Sequence, residues 1–198
     1  MMNIRLFQLI NSWAGQNIWL DRLMIFYAEW LGYFLIGGLI ICLIKDRKKY
    51  SDMLIVSLGS AIIARFIFVE IIRFLYYNPR PFLVLSDVTQ LINHETVSSF
   101  PSGHASFYFA LATGVYLYNK KSDLSARAGY VYFALAGLIG FSRIFAGAHW
   151  PADIVAGAIL GIFTTILVSY LKHRVTRVTV LGFLKLLRFE KPNKIGPM

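Results

Sequence analysis

The chain contains little cysteine and little negative charge. Its 198 residues include one cysteine, Cys42, and 10 acidic residues against 20 lysines and arginines. A single cysteine cannot form an intrachain disulfide, so a disulfide-stabilised fold is excluded and redox chemistry is not expected. Asp87, His94 and Glu95 are too few to form a metal-binding cluster, so we predict no metal site in their loop.

The sequence also lacks the features of a cleavable signal peptide and of a repeat protein. Polar side chains interrupt the first 20 residues, where a signal peptide would need an unbroken apolar stretch. These side chains are Arg5, Gln8, Asn11, Gln16 and Asn17. No internal repeat and no low-complexity segment is found, which favours a single domain.

Hydrophobic and basic residues are abundant. The chain is 57% hydrophobic and has a formal net charge of +10. This combination is unusual for a soluble domain but typical of a small integral membrane protein with basic cytoplasmic flanks. We therefore predict a membrane domain over residues 1–172 and a basic amphipathic tail over residues 173–198.

The apolar segments define the predicted architecture. A bilayer core of about 30 Å requires roughly 20 residues of helix, and the candidates are residues 23–44, 53–77, 105–118, 128–145 and 152–171. Residues 4–14 have helical spacing but are short and polar, which predicts an interfacial helix. Residues 175–189 mix apolar and basic side chains, which predicts a helix on an anionic leaflet. The expected fold is thus all-α, with about five transmembrane helices.

The basic residues indicate the orientation of these helices. Most of the 20 lysines and arginines fall in the loop at residues 45–49, the loop at 120–127 and the tail from 172 onward. A five-span arrangement places these three regions on one side, which the positive-inside rule identifies as cytoplasmic. We therefore predict a multi-pass protein of the plasma membrane.

Three polar stretches are expected together on the opposite, extracytoplasmic side. They are residues 73–81, with two arginines, residues 101–104, which read Pro-Ser-Gly-His, and residues 142–153. The positive-inside rule disfavours arginine on that side, so arginines gathered there require an anionic partner. A planar guanidinium matches the oxygens of a phosphate, which makes phosphate the expected partner.

Residues of these stretches suit phosphoryl transfer. His149 can be a nucleophile at neutral pH if a carboxylate on its other ring nitrogen fixes the tautomer. Asp153 is four residues away, and Pro151 suits a first helical turn, so the two side chains should meet. Ser102 is expected to cap a helix, and Gly103 to allow a phosphate close to the free N–H groups. Taken alone, each stretch is also compatible with a polar cap on a membrane helix.

In this order the three stretches resemble the signature of the type 2 phosphatidic acid phosphatase superfamily. The matching residues are Arg73, Arg80 and Pro81; Pro101, Ser102, Gly103 and His104; and Ser142, Arg143, His149 and Asp153. The likeness covers roughly residues 20–172 and is greatest to the small bacterial undecaprenyl-diphosphatases. Arg73 is a departure, because the family usually has lysine there and a planar fork replaces a point charge.

The resemblance implies a metal-independent phosphatase that works through a phosphohistidine. His149 would be the nucleophile, Asp153 its orienting carboxylate and His104 the general acid and base. The phosphate oxygens would be bound by Arg73, Arg80, Arg143 and the amides around Ser102 and Gly103. The implied partners are the bilayer and a lipid phosphate or diphosphate; no cofactor, metal or nucleic acid is implied.

The substrate implied by the resemblance is undecaprenyl diphosphate, which links the chain to cell-wall biogenesis. Two alternatives stay open: a phosphatidic acid or phosphatidylglycerophosphate phosphatase, and a catalytically dead lipid-binding or transport protein. The loop that carries Asp87, His94 and Glu95 is either a solvated lid or a substrate-selective contact. The oligomeric state is not predicted.

Charged residues inside the predicted spans need an explanation of their own. Glu29 and Arg65 lie roughly 22 and 18 Å from the inner ends of their helices at 1.5 Å per residue. These similar depths predict a structural ion pair, with a direct part in substrate binding as the alternative. Glu70, three residues before Arg73, is expected to hold that arginine in place.

Overall fold

Every regular element in the described part of the chain is a helix. The computed structural model describes residues 2–93, 98–119 and 123–189. The helices are α1 (Met2–Asn11), α2 (Ile18–Glu29), α3 (Leu31–Lys45), α4 (Arg47–Ile63), α5 (Val69–Leu75), α6 (Pro81–Val84), α7 (Gly103–Asn119), α8 (Asp123–Phe145) and α9 (Pro151–Phe189). A π-helical segment, Ala64–Phe68, joins α4 to α5. The predicted all-α fold is confirmed.

The described helices include three candidate membrane spans, or four if α2 and α3 together form one, where about five were predicted. Arg47–Leu75, Arg127–Phe145 and Pro151–Val175 are each long and apolar enough to cross a bilayer. The predicted first span, residues 23–44, is instead two helices, α2 and α3, which are bent by 46° on either side of Trp30. The short helix α7 corresponds to the predicted third span.

The break between α2 and α3 coincides with a close helix contact. A Cβ atom on Gly32 would overlap the hydroxyl of Tyr108 in α7. A side chain at this position would have to displace the Tyr108 ring, so glycine leaves the room in which α3 passes α7.

Helix α7 occupies the centre of the bundle and packs against α4, α8 and α9. Its residues Leu111 and Val115 are buried together with Leu39 of α3 and Ile139 of α8. On α9, a Cβ atom at Gly157 would lie 2.5 Å from the Ser102 carbonyl oxygen, so the small residue brings α9 against the start of α7. This contact places two of the motif stretches side by side.

The N-terminal helix α1 packs over the loop that precedes α9. The ring of Phe7 is buried and lies 5.2 Å from the ring of Trp150. The side-chain oxygen of Asn3 accepts a hydrogen bond of 3.0 Å from the amide of Ala152. The predicted interfacial helix is therefore also a structural support for this loop.

The C-terminal helix differs from the prediction. Instead of a separate surface helix over residues 175–189, α9 continues without a break from Pro151 to Phe189. The side chains beyond residue 175, which include the basic ones of the tail except Arg174, are outside the described part of the chain. The division at residue 172 therefore stays a prediction.

Candidate active site

The loop between α8 and α9 presents His149 next to Asp153. Gly147 has a φ of +80°, a conformation that favours glycine, and it turns the chain after α8. Helix α9 then begins at Pro151, which places Asp153 in its first turn. The His149 Nδ1 and Asp153 Oδ2 atoms are 3.4 Å apart, the contact that the four-residue spacing predicts.

Several groups hold the Asp153 carboxylate. Its Oδ2 accepts a hydrogen bond of 2.9 Å from the Trp150 amide, and its Oδ1 accepts one of 3.4 Å from the Asn78 side chain. Asn78 also donates to the Ser99 hydroxyl at 2.9 Å. The carboxylate thus has a fixed orientation in a buried position, as a group that orients a histidine ring requires.

The other ring nitrogen of His149 faces an arginine. Arg80 Nη1 lies 3.5 Å from His149 Nε2 and donates a hydrogen bond of 2.8 Å to the Ala148 carbonyl. The pKa of His149 lies well below its ordinary value, and burial is the largest cause. The positive charges of Arg80, Arg143 and Arg73 lower it further. The ring is therefore neutral near pH 7. The protonated Nδ1 donates its hydrogen bond to Asp153, so the lone pair lies on Nε2.

The Pro-Ser-Gly-His stretch forms the start of α7 and touches the same loop. Helix α7 begins at Gly103, and the Ser102 hydroxyl accepts a hydrogen bond of 3.4 Å from the Ala105 amide. The Ser102 amide donates to the Asp153 carbonyl at 3.0 Å. Arg73 Nη2 donates to the Pro101 carbonyl at 3.2 Å. A helix N-terminus and a guanidinium therefore lie together, which favours an anion.

His104 and Arg143 form the third part of the cluster. Arg143 Nη2 lies 2.5 Å from His104 Nε2 and donates to the Ala28 carbonyl at 2.7 Å. Ala28 is in the last turn of α2, immediately before the break at Trp30. The break therefore helps to position an arginine that comes more than 100 residues later in the chain.

One predicted ion pair is wrong and another is confirmed. Arg65 forms its salt bridge with Glu70, not with Glu29. The charge of Glu29 acts on Arg143 instead. Glu70 also lies 3.6 Å from Arg73, as the three-residue spacing predicts. The depth argument failed because it treated both spans as straight α-helices, whereas one is broken and the other contains a π-helical segment.

The contacts therefore link most of the predicted site residues to one another or to the loops of the site. Asp153 and Arg80 contact the His149 ring, and the Ser102 amide donates to the Asp153 carbonyl. Arg73 donates to the Pro101 carbonyl before α7, and Arg143 contacts His104. In the part of the chain that the structure describes, no group of three or more metal-ligating side chains is brought together. His94 and Glu95, the two residues of uncertain role, lie outside that part.

Reasoning from the sequence missed Asn78 and the supporting role of α1. Asn11 of α1 donates to the carbonyls of Thr89 and Phe145 at 2.9 and 2.8 Å, and it accepts from the Thr89 amide at 3.0 Å. A single asparagine carries no periodic signal. The position of Asn78 directly before Pro79-Arg80-Pro81 was the one available hint.

Comparisons with known proteins show which family the chain resembles. Residues 54–177, which contain all the predicted site residues, match the profile of the PAP2 superfamily. The bacitracin transport permease protein BcrC of Bacillus licheniformis is 34% identical over 169 residues, which are 85% of this chain and 80% of that protein. The undecaprenyl-diphosphatase BcrC of Bacillus subtilis (strain 168) is 31% identical over 163 residues, 81% and 79% of the two chains.

A solved structure extends the similarity to three dimensions. The crystal structure of Aquifex aeolicus LpxE is similar with a TM-score of 0.69 and 30% sequence identity. The similarity covers 86% of this chain and 96% of that one.

Proposed function

The chain belongs to the PAP2 superfamily, and we propose that it hydrolyses undecaprenyl diphosphate in the membrane to undecaprenyl phosphate and inorganic phosphate. One observation carries the proposal. The buried His149 has Asp153 at one ring nitrogen and the Arg80 guanidinium at the other. A neutral imidazole in this position can attack a phosphorus atom whose oxygens are bound by arginine.

His149 acts as the nucleophile in the first half of the reaction. Its Nε2 forms a bond to the terminal phosphorus while the bond from that phosphorus to the bridging oxygen breaks. The electron pair stays on the bridging oxygen, which leaves with the lipid. The phosphorylated ring becomes positively charged, and the Asp153 carboxylate at Nδ1 stabilises that charge.

The arginines stabilise the phosphoryl group during transfer. Arg73, Arg80 and Arg143 converge on the loops around His149 and His104, and the amides around Ser102 and Gly103 add neutral donors. Phosphoryl transfer needs mainly such positioning and charge stabilisation. Guanidinium groups supply both without requiring a metal ion.

His104 acts on the leaving group and then on water. It is in the first turn of α7, in contact with Arg143. It protonates the leaving oxygen when that oxygen is an alkoxide, and later takes a proton from the water that hydrolyses the phosphohistidine. The second half-reaction releases inorganic phosphate and restores His149.

Names of relatives support the diphosphate as the substrate. The Bacillus subtilis relative is named an undecaprenyl-diphosphatase, whereas the Bacillus licheniformis relative is named a transport permease protein. The complete constellation of His149, Asp153 and His104 favours the enzyme over a transport protein. Phosphatidic acid or phosphatidylglycerophosphate remains the second candidate substrate, because the described contacts bind phosphate and do not select the tail.

Phosphate release by the purified protein tests this proposal. Undecaprenyl diphosphate, phosphatidic acid and phosphatidylglycerophosphate are supplied in detergent with EDTA, and His149→Ala serves as the inactive control. We expect undecaprenyl diphosphate to give the highest kcat/KM. A higher kcat/KM for phosphatidic acid would make phosphatidic acid the preferred substrate instead. No turnover of any of the three lipids would refute the proposal that the protein is an enzyme.

The active site is proposed to face the extracytoplasmic side of the plasma membrane. Cysteines at Ser86 and Lys48, both exposed, are introduced separately into a Cys42→Ser protein. A membrane-impermeant thiol reagent should label the cysteine at position 86 in intact cells, and the one at position 48 only after permeabilisation. The reverse pattern would place the site in the cytoplasm.

A further inference from the structure

The chain has a fourth arginine at the phosphate site, outside the motif that identifies the family. Arg65 lies in the π-helical segment Ala64–Phe68. A Cβ atom on Gly103 would overlap Nε of Arg65, so the guanidinium packs directly on the first residue of α7. Gly103 lies between Ser102 and His104, and the lack of a side chain there makes room for Arg65.

The π-helical segment explains this position. A π turn contains one more residue than an α turn, and it changes the direction in which the following side chains point. Such segments occur frequently at functional sites. Here the segment interrupts the membrane helix Arg47–Leu75 at the point where Arg65 reaches α7.

Arg65 and Arg73 already hold one anionic oxygen together. Glu70 Oε1 contacts Arg65 Nη1 and lies 3.6 Å from Arg73 Nη1. A carboxylate oxygen held by two guanidinium groups is chemically similar to a phosphate oxygen held by the same groups. The side chain of Arg65 is 28% exposed, so it remains accessible to a ligand.

We propose that Arg65 binds the lipid-linked phosphate of a diphosphate substrate and thereby sets the preference for diphosphates over monophosphates. This inference rests on the proposed function. The three arginines of the motif bind the terminal phosphoryl group that His149 attacks. A diphosphate brings a second phosphate, which needs a further cation. Arg65 packs on Gly103, the residue directly before His104, which is assigned to the leaving group.

The chemistry gives Arg65 a specific task. When the bond between the terminal phosphorus and the bridging oxygen breaks, the electron pair remains on the lipid-linked phosphate. Arg65 stabilises the negative charge that develops there. A lipid monophosphate has no such group, because its leaving oxygen belongs to an alcohol and depends on a proton from His104.

The test compares two substrates that share a tail, farnesyl diphosphate and farnesyl phosphate. We expect Arg65→Gln to lower kcat/KM for the diphosphate on the order of 10- to 100-fold, the usual effect of losing a charged hydrogen bond. For the monophosphate the change should be less than about threefold. Arg174→Gln, which removes an exposed arginine on α9, is the matched control and should leave both values unchanged.

A second variant keeps the test decisive if Arg65→Gln does not fold. Arg65→Lys retains the charge but loses the planar fork, so its ratio of diphosphate to monophosphate kcat/KM should fall by a smaller factor. An unchanged ratio in the folded variant would overturn the role of Arg65. Failure of the wild-type protein to hydrolyse both farnesyl diphosphate and undecaprenyl diphosphate would instead refute the proposed function.

Discussion

The two sides of the phosphate site differ in how firmly their side chains are held. On the nucleophile side, His149, Asp153 and Arg80 are 2%, 1% and 3% exposed and contact backbone groups of neighbouring loops. On the cation side, the side chains of Arg65, Glu70 and Arg73 are 28%, 50% and 12% exposed, and their salt bridges join them to one another.

The difference separates two tasks of an enzyme. A nucleophile must be in position before the substrate arrives, because its alignment lowers the barrier only if no reorganisation is needed. On the cation side, the arginines hold the Glu70 carboxylate and must bind the substrate's charged head group in its place. Changes on the nucleophile side should therefore abolish the chemistry, whereas changes on the cation side should lower turnover by a smaller factor or alter substrate preference.

The largest effect is expected for the nucleophile. His149→Ala should lower turnover by at least about 10⁴-fold, because a covalent route has no substitute for its nucleophile. His173→Ala, at a histidine of α9 outside the site, should have normal turnover. Substantial activity in a His149→Ala protein with an unchanged melting temperature would eliminate the phosphohistidine.

His104 should show a loss that depends on the leaving group. With farnesyl phosphate, His104→Ala should lower kcat/KM on the order of 100- to 10,000-fold, because an alkoxide must be protonated as it leaves. With farnesyl diphosphate the loss should be smaller, since a phosphate leaves without a proton. Equal losses for the two substrates would show that His104 is not the general acid.

These predictions rest mostly on residues whose placement could be predicted from the sequence. Pro151 begins α9, Asp153 lies four residues from His149, and Ser102 precedes the first residue of α7. Each relation is local: it depends on helix geometry over one turn and on the preference of proline and serine for helix starts. Local relations of this kind depend little on the path of the rest of the chain.

The relations that failed depend on the path of whole helices. The position of Arg65 follows from the π-helical segment Ala64–Phe68, and the position of Glu29 from the break at Trp30. Hydropathy identifies the two spans that carry Glu29 and Arg65 as apolar membrane helices, but it carries no information on their internal geometry. A depth estimate based on straight helices consequently paired the wrong residues.

Arg73 tests the cation side of the comparison. Arg73→Ala should lower turnover on the order of 100- to 1,000-fold, the usual effect of removing one preorganised donor from a transition state. Arg73→Lys restores the residue that is usual in the family and should keep much of the activity. Turnover and melting temperature are measured for both variants and for Glu70→Gln.

The alternative for Arg73 is a purely structural ion pair with Glu70. In that case Glu70→Gln would lower the melting temperature as much as Arg73→Ala does, with little change in turnover for either variant. An Arg73→Ala protein with normal turnover would remove Arg73 from the active site.

The protonation state of His149 sharpens the description of the nucleophile side. Because burial and three arginines depress its pKa, His149 should be neutral at pH 6.5, where an ordinary histidine is about half protonated. NMR titration of ring-labelled histidine measures this directly, with the signal identified by its absence in His149→Ala. Arg80→Gln should raise the pKa. Half-protonation at pH 6.5 or above in the wild-type protein would contradict the buried environment.

The smallest effect on rate is expected at Asn11, which supports the nucleophile loop from α1. Its buried amide forms three hydrogen bonds, with both backbone groups of Thr89 and with the Phe145 carbonyl at the end of α8. Asn11→Ala leaves these buried groups unsatisfied, which should reduce the free energy of unfolding by on the order of 1–3 kcal/mol.

Turnover in Asn11→Ala should nevertheless stay within about tenfold of the wild-type value below the melting temperature, the loss expected for one missing hydrogen bond. The reason is that His149 retains its own contacts with Asp153 and Arg80. Ser12→Ala, which removes an exposed hydroxyl bonded only locally to the Leu9 carbonyl, is the control and should change neither quantity. If Asn11→Ala instead lost as much turnover as Arg73→Ala at an unchanged melting temperature, α1 would form part of the catalytic site. The firm positioning of His149 would then depend on a helix outside the family motif.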